Sequence, residues 1–189
     1  MSTSINYFKK FPSVTYNGKS TVNITRRTKI LEQLYSSPIN FLSYTVLEGE
    51  RPEDIARFYY EDMGKTWLVF LANNIIDPAS EWPLSDYDFK NMLTAKYKTQ
   101  AGTTDVITWT LNRSITANIV YYENADGVRI TKDTYTLNND LNLIDVNDWN
   151  AIRVYDYELE LNENKRNIFL FNRAYATQAE AELKELVNG

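Results

Sequence analysis

The sequence predicts an α+β fold: a strand–helix–helix core, an extended N-terminal arm and a β-rich C-terminal part. Three observations predict it. Tyr44-Thr45-Val46, three good strand formers, run through a glycine turn into two amphipathic stretches ending near Asn74. Upstream, Asn17-Gly18 is a hairpin signal between two short alternating runs. Downstream of Gly102, β-branched and aromatic runs are separated by turn residues. The expected division is an arm with a hairpin and a short helix at residues 1–40, the core plus an additional helix at 41–99, and a β-rich part ending in a helix at 100–189.

In the arm, Phe11 to Tyr16 and Thr21 to Thr25 read as the two hairpin strands. Arg26, Arg27 and Lys29 form a basic cluster suited to a solvated or partner-facing edge. Ile30, Leu31, Leu34 and Tyr35 suggest a short amphipathic helix closed by Ser36-Ser37-Pro38. In the core, Gly49 marks the sharp turn, and Pro52 suits the first position of a helix, where its missing N–H costs nothing. Glu53 and Asp54 complement the helix dipole in the first turn, and Ile55, Phe58 and Tyr59 make an apolar face. Trp67, Phe70 and Leu71 repeat the device in a second helix. The two prolines of Ile75 to Leu84 predict an irregular loop, and Ser85 with Asp88 predicts the N-terminus of a helix carrying Phe89, Met92, Leu93 and Tyr97.

Polar Gln100 to Asp105 is the expected domain boundary. Beyond it, Val106 to Trp109, Ile119 to Tyr122 and Ile168 to Phe171 read as strands, with a hairpin turn at Asp126-Gly127 and a break at Asn138-Asn139-Asp140. Ile152 to Leu161 alternates strictly and reads as the clearest strand of all. Thr177 suits the cap of a last helix with Ala179, Leu183, Leu186 and Val187 on one side.

Composition narrows function. The 189 residues include no Cys and no His, which excludes thiol nucleophiles, disulfides, Cys/His zinc sites and a serine triad with a His base. The net charge of −5 disfavours nucleic acid as a partner. The apolar run Trp67 to Ala72 is too short to span a bilayer, and the N-terminal residues carry no apolar signal core, so synthesis in a cytoplasm is expected. Fourteen Tyr, 4 Trp and 8 Phe supply either a dense core or contact surfaces.

Catalytic constellations do not emerge. Glu48, Glu50, Glu53 and Asp54 cluster where capping and the helix dipole already account for them, whereas glycoside hydrolysis needs two carboxyl groups across a cleft. No phosphate loop and no calcium-loop spacing occurs. The expectation is a non-enzyme without cofactor or metal.

Tyr44-Thr45-Val46, Gly49, Glu50, Ile55-Ala56, Tyr59 and Asn73-Asn74, in that order, resemble a LysM module. That resemblance implies a strand–helix–helix core and, as one functional alternative, a peptidoglycan-binding module of a cell-wall-targeting protein. The closing Pro-Gly turn and second strand of such modules do not follow Asn74, so peptidoglycan is not the expected ligand.

A wider set of segments is more specific. Tyr7 to Pro12, Asn23 to Arg27, Gly49-Glu50-Arg51-Pro52-Glu53, Asn73-Asn74-Ile75-Ile76-Asp77-Pro78, Trp82-Pro83-Leu84-Ser85 and Asn162 to Ile168 resemble the LysM-like baseplate wedge subunit of contractile-tailed, T4-like bacteriophages. The resemblance implies a structural subunit of the virion tail baseplate, present in multiple copies in a sixfold disc, that joins other wedge subunits and neighbouring wedges by protein–protein contacts. With the charge and the short apolar run, no nucleic-acid and no membrane partner is expected. Arg26, Arg27, Arg51, Trp67, Trp82, Lys165 and Arg166 are the expected interface residues, because Arg and Trp are frequent interface anchors. The arm (Tyr7 to Ile24) and the C-terminal segment (Asn167 to Val187) are expected to dock on different partners.

Overall fold

Ser13–Tyr16 (β1) and Lys19–Val22 (β2) form an antiparallel hairpin in register Tyr16↔Lys19 and Ser13↔Val22. Asn17 and Gly18 both take positive φ, 51° and 73°, which gives the turn the twist that two-residue hairpins need. The computed structural model describes residues 11–23 and 40–181. These residues form two compact units, one made of those up to Pro83 together with those from Lys165 onward, the other of Leu84–Asn164. Helices and strands are mixed in both, so the fold is α+β. The helix expected at Ile30 to Tyr35 and the basic cluster of Arg26, Arg27 and Lys29 lie outside the described residues, as do Leu183, Leu186 and Val187.

In the first unit, β3 (Phe41–Thr45) pairs antiparallel with β7 (Asn167–Phe171), Tyr44 opposite Ile168 and Leu42 opposite Leu170. The strand that pairs with β3 thus comes from beyond the second unit in the sequence. After the turn at Gly49, whose φ of 70° favours glycine, α1 (Pro52–Tyr60) begins with Pro52 and ends at Glu61 in the left-handed region. Its buried stripe is Pro52, Ile55, Ala56 and Tyr60. Phe58, expected on the apolar face, is instead 76% exposed, because Pro52 and Ala56 turn the stripe away from it.

A 3-10 turn (Met63–Lys65) leads into α2 (Thr66–Ala72), where Trp67, Leu68, Val69 and Ala72 are buried. The stretch expected as irregular loop contains a helical turn, α3 (Pro78–Glu81). Its signal is a reciprocal cap, related to a capping box, with a proline inside it. Asp77 Oδ1 accepts from Ala79 N at 3.2 Å, Pro78 takes the first position, and the Glu81 carboxylate accepts from the N–H groups of Ile76 and Asp77 at 2.6 and 2.8 Å.

The core of this unit gathers Val46, Ile55, Leu68, Val69 and Leu170 between the two-stranded sheet and the helices, and includes Phe11 at the foot of the hairpin. After β7, Asn172 caps a 3-10 turn (Arg173–Tyr175), and residues 176–181 are helical. Thr177 is thus inside the helix rather than its cap. Ile168, Leu170, Phe171 and Ala176 are core residues, so the described part of the C-terminal segment is used inside its own unit.

The second unit begins with α4 (Asp86–Ala101), capped by Ser85, whose Oγ accepts from Asp88 N at 3.2 Å. Gln100 to Asp105, expected as a boundary, joins α4 to α5 (Val106–Leu111) within this unit. Val106 to Trp109 is therefore helix, not strand. Asp105 decides it: its Oδ2 accepts from both Thr108 N and Thr108 Oγ1 at 2.8 Å and starts the helix.

A three-stranded sheet follows in the order β5-β4-β6, made by β4 (Ile119–Asn124), β5 (Arg129–Thr131) and β6 (Trp149–Arg153). The Asp126-Gly127 hairpin is as expected, with Asn124 Oδ1 accepting from Asp126 N and Val128 N. Between β5 and β6, α6 (Lys132–Asp140) occupies a stretch whose Asn138-Asn139-Asp140 break proves to be its last turn.

The largest correction is at Ile152 to Leu161. Only Ile152 and Arg153 belong to a strand, and the rest is α7 (Val154–Asn164). Its buried positions, Val154, Glu158 and Asn162, recur every four residues; two of the three are polar, which hid the helical period beneath the alternation. Phe89, Leu93, Ala101, Val106, Trp109 and Val154 form this unit's core.

Candidate docking surfaces

Four of the expected interface residues do structural work in the first unit, and Trp82, Lys165 and Arg166 do so around the Gly49 turn. Trp67 is in the core of the first unit. Trp82 is 9% exposed; its Nε1 donates to the Glu50 carbonyl at 3.0 Å, and its ring meets Phe70 edge-on at 6.4 Å. Lys165 Nζ donates to the Ser80 carbonyl at 2.6 Å. Arg166 Nη2 donates to Glu48 at 2.5 Å and Nη1 to the Val46 carbonyl at 3.4 Å, while the Arg166 carbonyl accepts from Val46 N at 2.9 Å. These side chains knit the turn, the Asp77 to Pro83 stretch and the start of β7 together. Arg51 is different: it precedes α1, its carbonyl accepts from Asp54 N and Ile55 N, and its side chain is exposed. Arg26 and Arg27 lie outside the described residues.

The acidic cluster is likewise consumed locally. Glu50 accepts from Tyr44 Oη at 2.7 Å and from Leu47 N at 2.9 Å. Burial, reinforced by that carboxylate, pushes the Tyr44 hydroxyl up to about 12. Asp54 pairs with Arg57 at 3.2 Å. Among the described residues no group of three acidic side chains is arranged to hold a metal ion.

An open cleft of about 420 Å³ lies between the end of α1 and the turn after β7, lined by Tyr59, Tyr60, Lys65, Asn172 and Arg173 among others. Its rim carries the pairs Lys65–Glu180 at 4.0 Å and Arg173–Glu61 at 3.7 Å. It brings together no nucleophile and base.

Three exposed apolar features stand out; the first two fall within the arm and the C-terminal segment expected to dock, and the third lies outside both. On the hairpin, every residue of β1 and β2 is exposed, Tyr16 by 73%. On β7, Phe169 is half exposed, its ring edge-on to Phe41 at 6.4 Å, while Phe41 packs at 5.6 Å on the core residue Phe171. On the second unit, the end of α6 and the residues after it present Leu137, Leu141, Leu143 and Val146 to solvent. Alternation alone marks the second feature; nothing in the composition of the third separates it from a core segment.

The model of the family described as base plate wedge protein 53 matches residues 4–178. The chain belongs to that family. The base plate wedge protein 53 family is a family of phage structural proteins, so the chain is a structural component of a virion tail baseplate and assembles with other baseplate subunits. No curated protein matches the chain. No helix among the described residues is long and apolar enough to cross a membrane.

Proposed function

We propose that this wedge protein joins other wedge components and neighbouring wedges during baseplate assembly, in multiple copies around a sixfold disc, through protein–protein contacts and without enzymatic activity. It is made in the host cytoplasm and incorporated there. The observation that carries the reading is the β1–β2 hairpin. Its eight strand residues are all exposed, yet its foot is fixed by Phe11 in the core of the first unit. An isolated two-stranded hairpin is marginal in water, so a hairpin whose strand residues are all exposed is suited to gain its burial from another chain. Exposed Arg51 is proposed as a second contact, and Arg26 and Arg27 remain proposed contacts of the arm.

The β3-α1-α2-β7 arrangement supports a LysM-like core, with the second unit inserted before its closing strand. Trp82 docked on the Glu50 carbonyl fills the surroundings of the turn where a glycan would be gripped, which favours a scaffold over a sugar receptor.

Reconstitution with the other purified wedge subunits of the same phage tests the reading. Wild-type chain should co-assemble, and Val14→Asp with Tyr16→Asp should weaken assembly at least about tenfold. Amide exchange over residues 13–22 should be fast alone and slow in the complex. Saturable binding to purified peptidoglycan, with no binding to wedge subunits, would favour the glycan reading instead.

A further inference from the structure

Helix α6 is well finished at both ends and yet buries nothing. Thr131 Oγ1 accepts from Thr134 N at 3.2 Å and caps its start. At its end Asn142 takes φ 53°, Leu143 N donates to the Asn138 carbonyl at 2.8 Å, and Asn142 N to the Asn139 carbonyl at 3.0 Å, which is a Schellman motif. Inside its unit the helix is held by Tyr135 stacked on Tyr122, ring centroids 3.6 Å apart and planes within 4°, and by Lys132 Nζ donating to the Thr116 carbonyl. No residue of α6 is buried, and none from Leu141 to Asp148 is either. Leu137, Leu141, Leu143 and Val146 are 57%, 57%, 67% and 45% exposed. The Schellman motif fixes the backbone through Leu143, and it and the stretch after it leave four large apolar side chains in water, as a contact surface does.

The charge around it says what it meets. Between Lys132 and Asp148 the charged residues are Asp133, Asp140, Asp145 and Asp148 against Lys132 alone. All four aspartates are exposed, and none is in an ion pair among the described residues. A second copy docking the same surface by a twofold axis would press acid on acid, which costs association.

We propose that the acid-rimmed apolar surface formed by Leu137, Leu141, Leu143 and Val146 docks into an apolar pocket rimmed by Lys or Arg on a different baseplate protein. The proposal rests on the reading of the chain as a joining subunit and adds the surface and the chemistry of its partner. The apolar side chains supply contact energy, and the aspartates supply steering and select against copies of the same chain.

The test uses full-length protein and each of the other purified wedge subunits, singly and preassembled. Two double variants are compared with wild type: Leu141→Ser with Val146→Ser, neither of which takes part in the Schellman hydrogen bonds, and Asp140→Lys with Asp148→Lys. Each should weaken one complex at least about tenfold while leaving the thermal melt of the free chain in place. The charge variant should lose more at low salt than at high salt, and amide exchange across residues 137–146 should slow in the wild-type complex. If wild type assembles, exchange there stays unchanged and both variants bind as wild type, this surface is ruled out while the joining role stands. If wild type binds no wedge subunit, both fall. Self-association of the free chain that protects residues 137–146 replaces the basic partner with a second copy and overturns the proposal.

Discussion

Asn73 holds Phe169 by both of its backbone polar groups: Nδ2 donates to the Phe169 carbonyl and Oδ1 accepts from the Phe169 N–H, each at 2.8 Å. The strand register explains why the side chain is needed. The outermost β3–β7 hydrogen bonds run from Asn172 N to the Asn40 carbonyl and from Val46 N to the Arg166 carbonyl. Alternation then puts the N–H and C=O of Phe169 on the edge of β7 turned away from β3. Asn73, just past α2, stands in for the missing neighbouring strand, and its Nδ2 also reaches the Val69 carbonyl at 2.8 Å. Asn162 does the same in the second unit, its amide accepting from Leu84 N at 2.8 Å and donating to the Leu84 carbonyl at 3.0 Å.

Asn73→Ala should therefore destabilise the protein by about 1–2 kcal/mol, the cost of leaving strand groups partly unsatisfied. Asn73→Asp should cost at least as much at neutral pH, since it turns a carboxylate oxygen toward the Phe169 carbonyl. Urea unfolding measures both; a midpoint unchanged for either variant would show that water replaces the clasp without loss.

Trp82 and Arg51 should separate interior from surface. Trp82→Phe removes the Nε1 donor to the Glu50 carbonyl and should cost about 1 kcal/mol. Trp82→Ala empties a core position and should cost about 3–5 kcal/mol. Arg51→Ala should leave stability within about 0.5 kcal/mol and show its effect only in assembly. A large stability loss for Arg51→Ala would mean that its side chain serves the fold.

What could be read from the chain alone follows a physical divide. Turns and caps made by adjacent residues were legible: Asn17-Gly18, Gly49 followed by Pro52, and Ser85 with Asp88 all behave as their local chemistry dictates. Elements whose buried face is polar were not. In α7, Glu158 is only 5% exposed because it accepts from Lys96 Nζ at 2.7 Å and from Tyr97 Oη at 2.5 Å, partners about sixty residues upstream. With Glu158 and Asn162 counted as solvent-facing, Val154 to Leu161 can only look like a strand. The pairing of β3 with β7 was hidden by distance along the chain. The expected interface residues are Arg, Lys and Trp, but Trp67 and Trp82 are in the core and the exposed apolar surface is made by Leu, Tyr, Phe and Val.

Alkaline pH should loosen the fold through its tyrosines. Burial together with the Glu50 contact raises Tyr44 to about 12, burial and Glu158 raise Tyr97, and burial raises Tyr60. A raised folded value means the stability is complete below the unfolded tyrosine value of about 10 and is lost as pH climbs toward the folded one, because only the unfolded chain gives up its protons. Urea midpoints should hold between pH 8 and 9.5 and fall between about 10 and 12. Tyr44→Phe and Tyr97→Phe should each flatten that fall relative to wild type. Equal slopes in all three proteins would assign the alkaline loss to lysines instead.

Asn118 is the most demanding single residue of the second unit. It is fully buried, its Nδ2 donates to the carbonyls of Trp109 at 2.7 Å and Asn112 at 2.8 Å, and its Oδ1 accepts from Arg153 Nη1 at 2.9 Å. Its own carbonyl accepts from Val154 N at 2.9 Å, where β6 passes into α7. The end of α5, the start of β4 and the β6–α7 junction thus meet on one side chain. Asn118→Ala should cost about 2–4 kcal/mol, because two carbonyls, one of them buried, lose this donor and the Arg153 guanidinium loses one of its three acceptors. Asn118→Asp keeps the acceptor for Arg153 but points a second oxygen at two carbonyls, so it should not rescue the loss. Arg153 also donates to the carbonyls of Ile115 and Arg113, at 3.1 and 2.7 Å, and Arg153→Ala should be milder. In a double-mutant cycle the two changes should fall short of additive by 0.5 kcal/mol or more, on the order of couplings between hydrogen-bonded neighbours. Strict additivity would mean that Asn118 and Arg153 stabilise the junction separately.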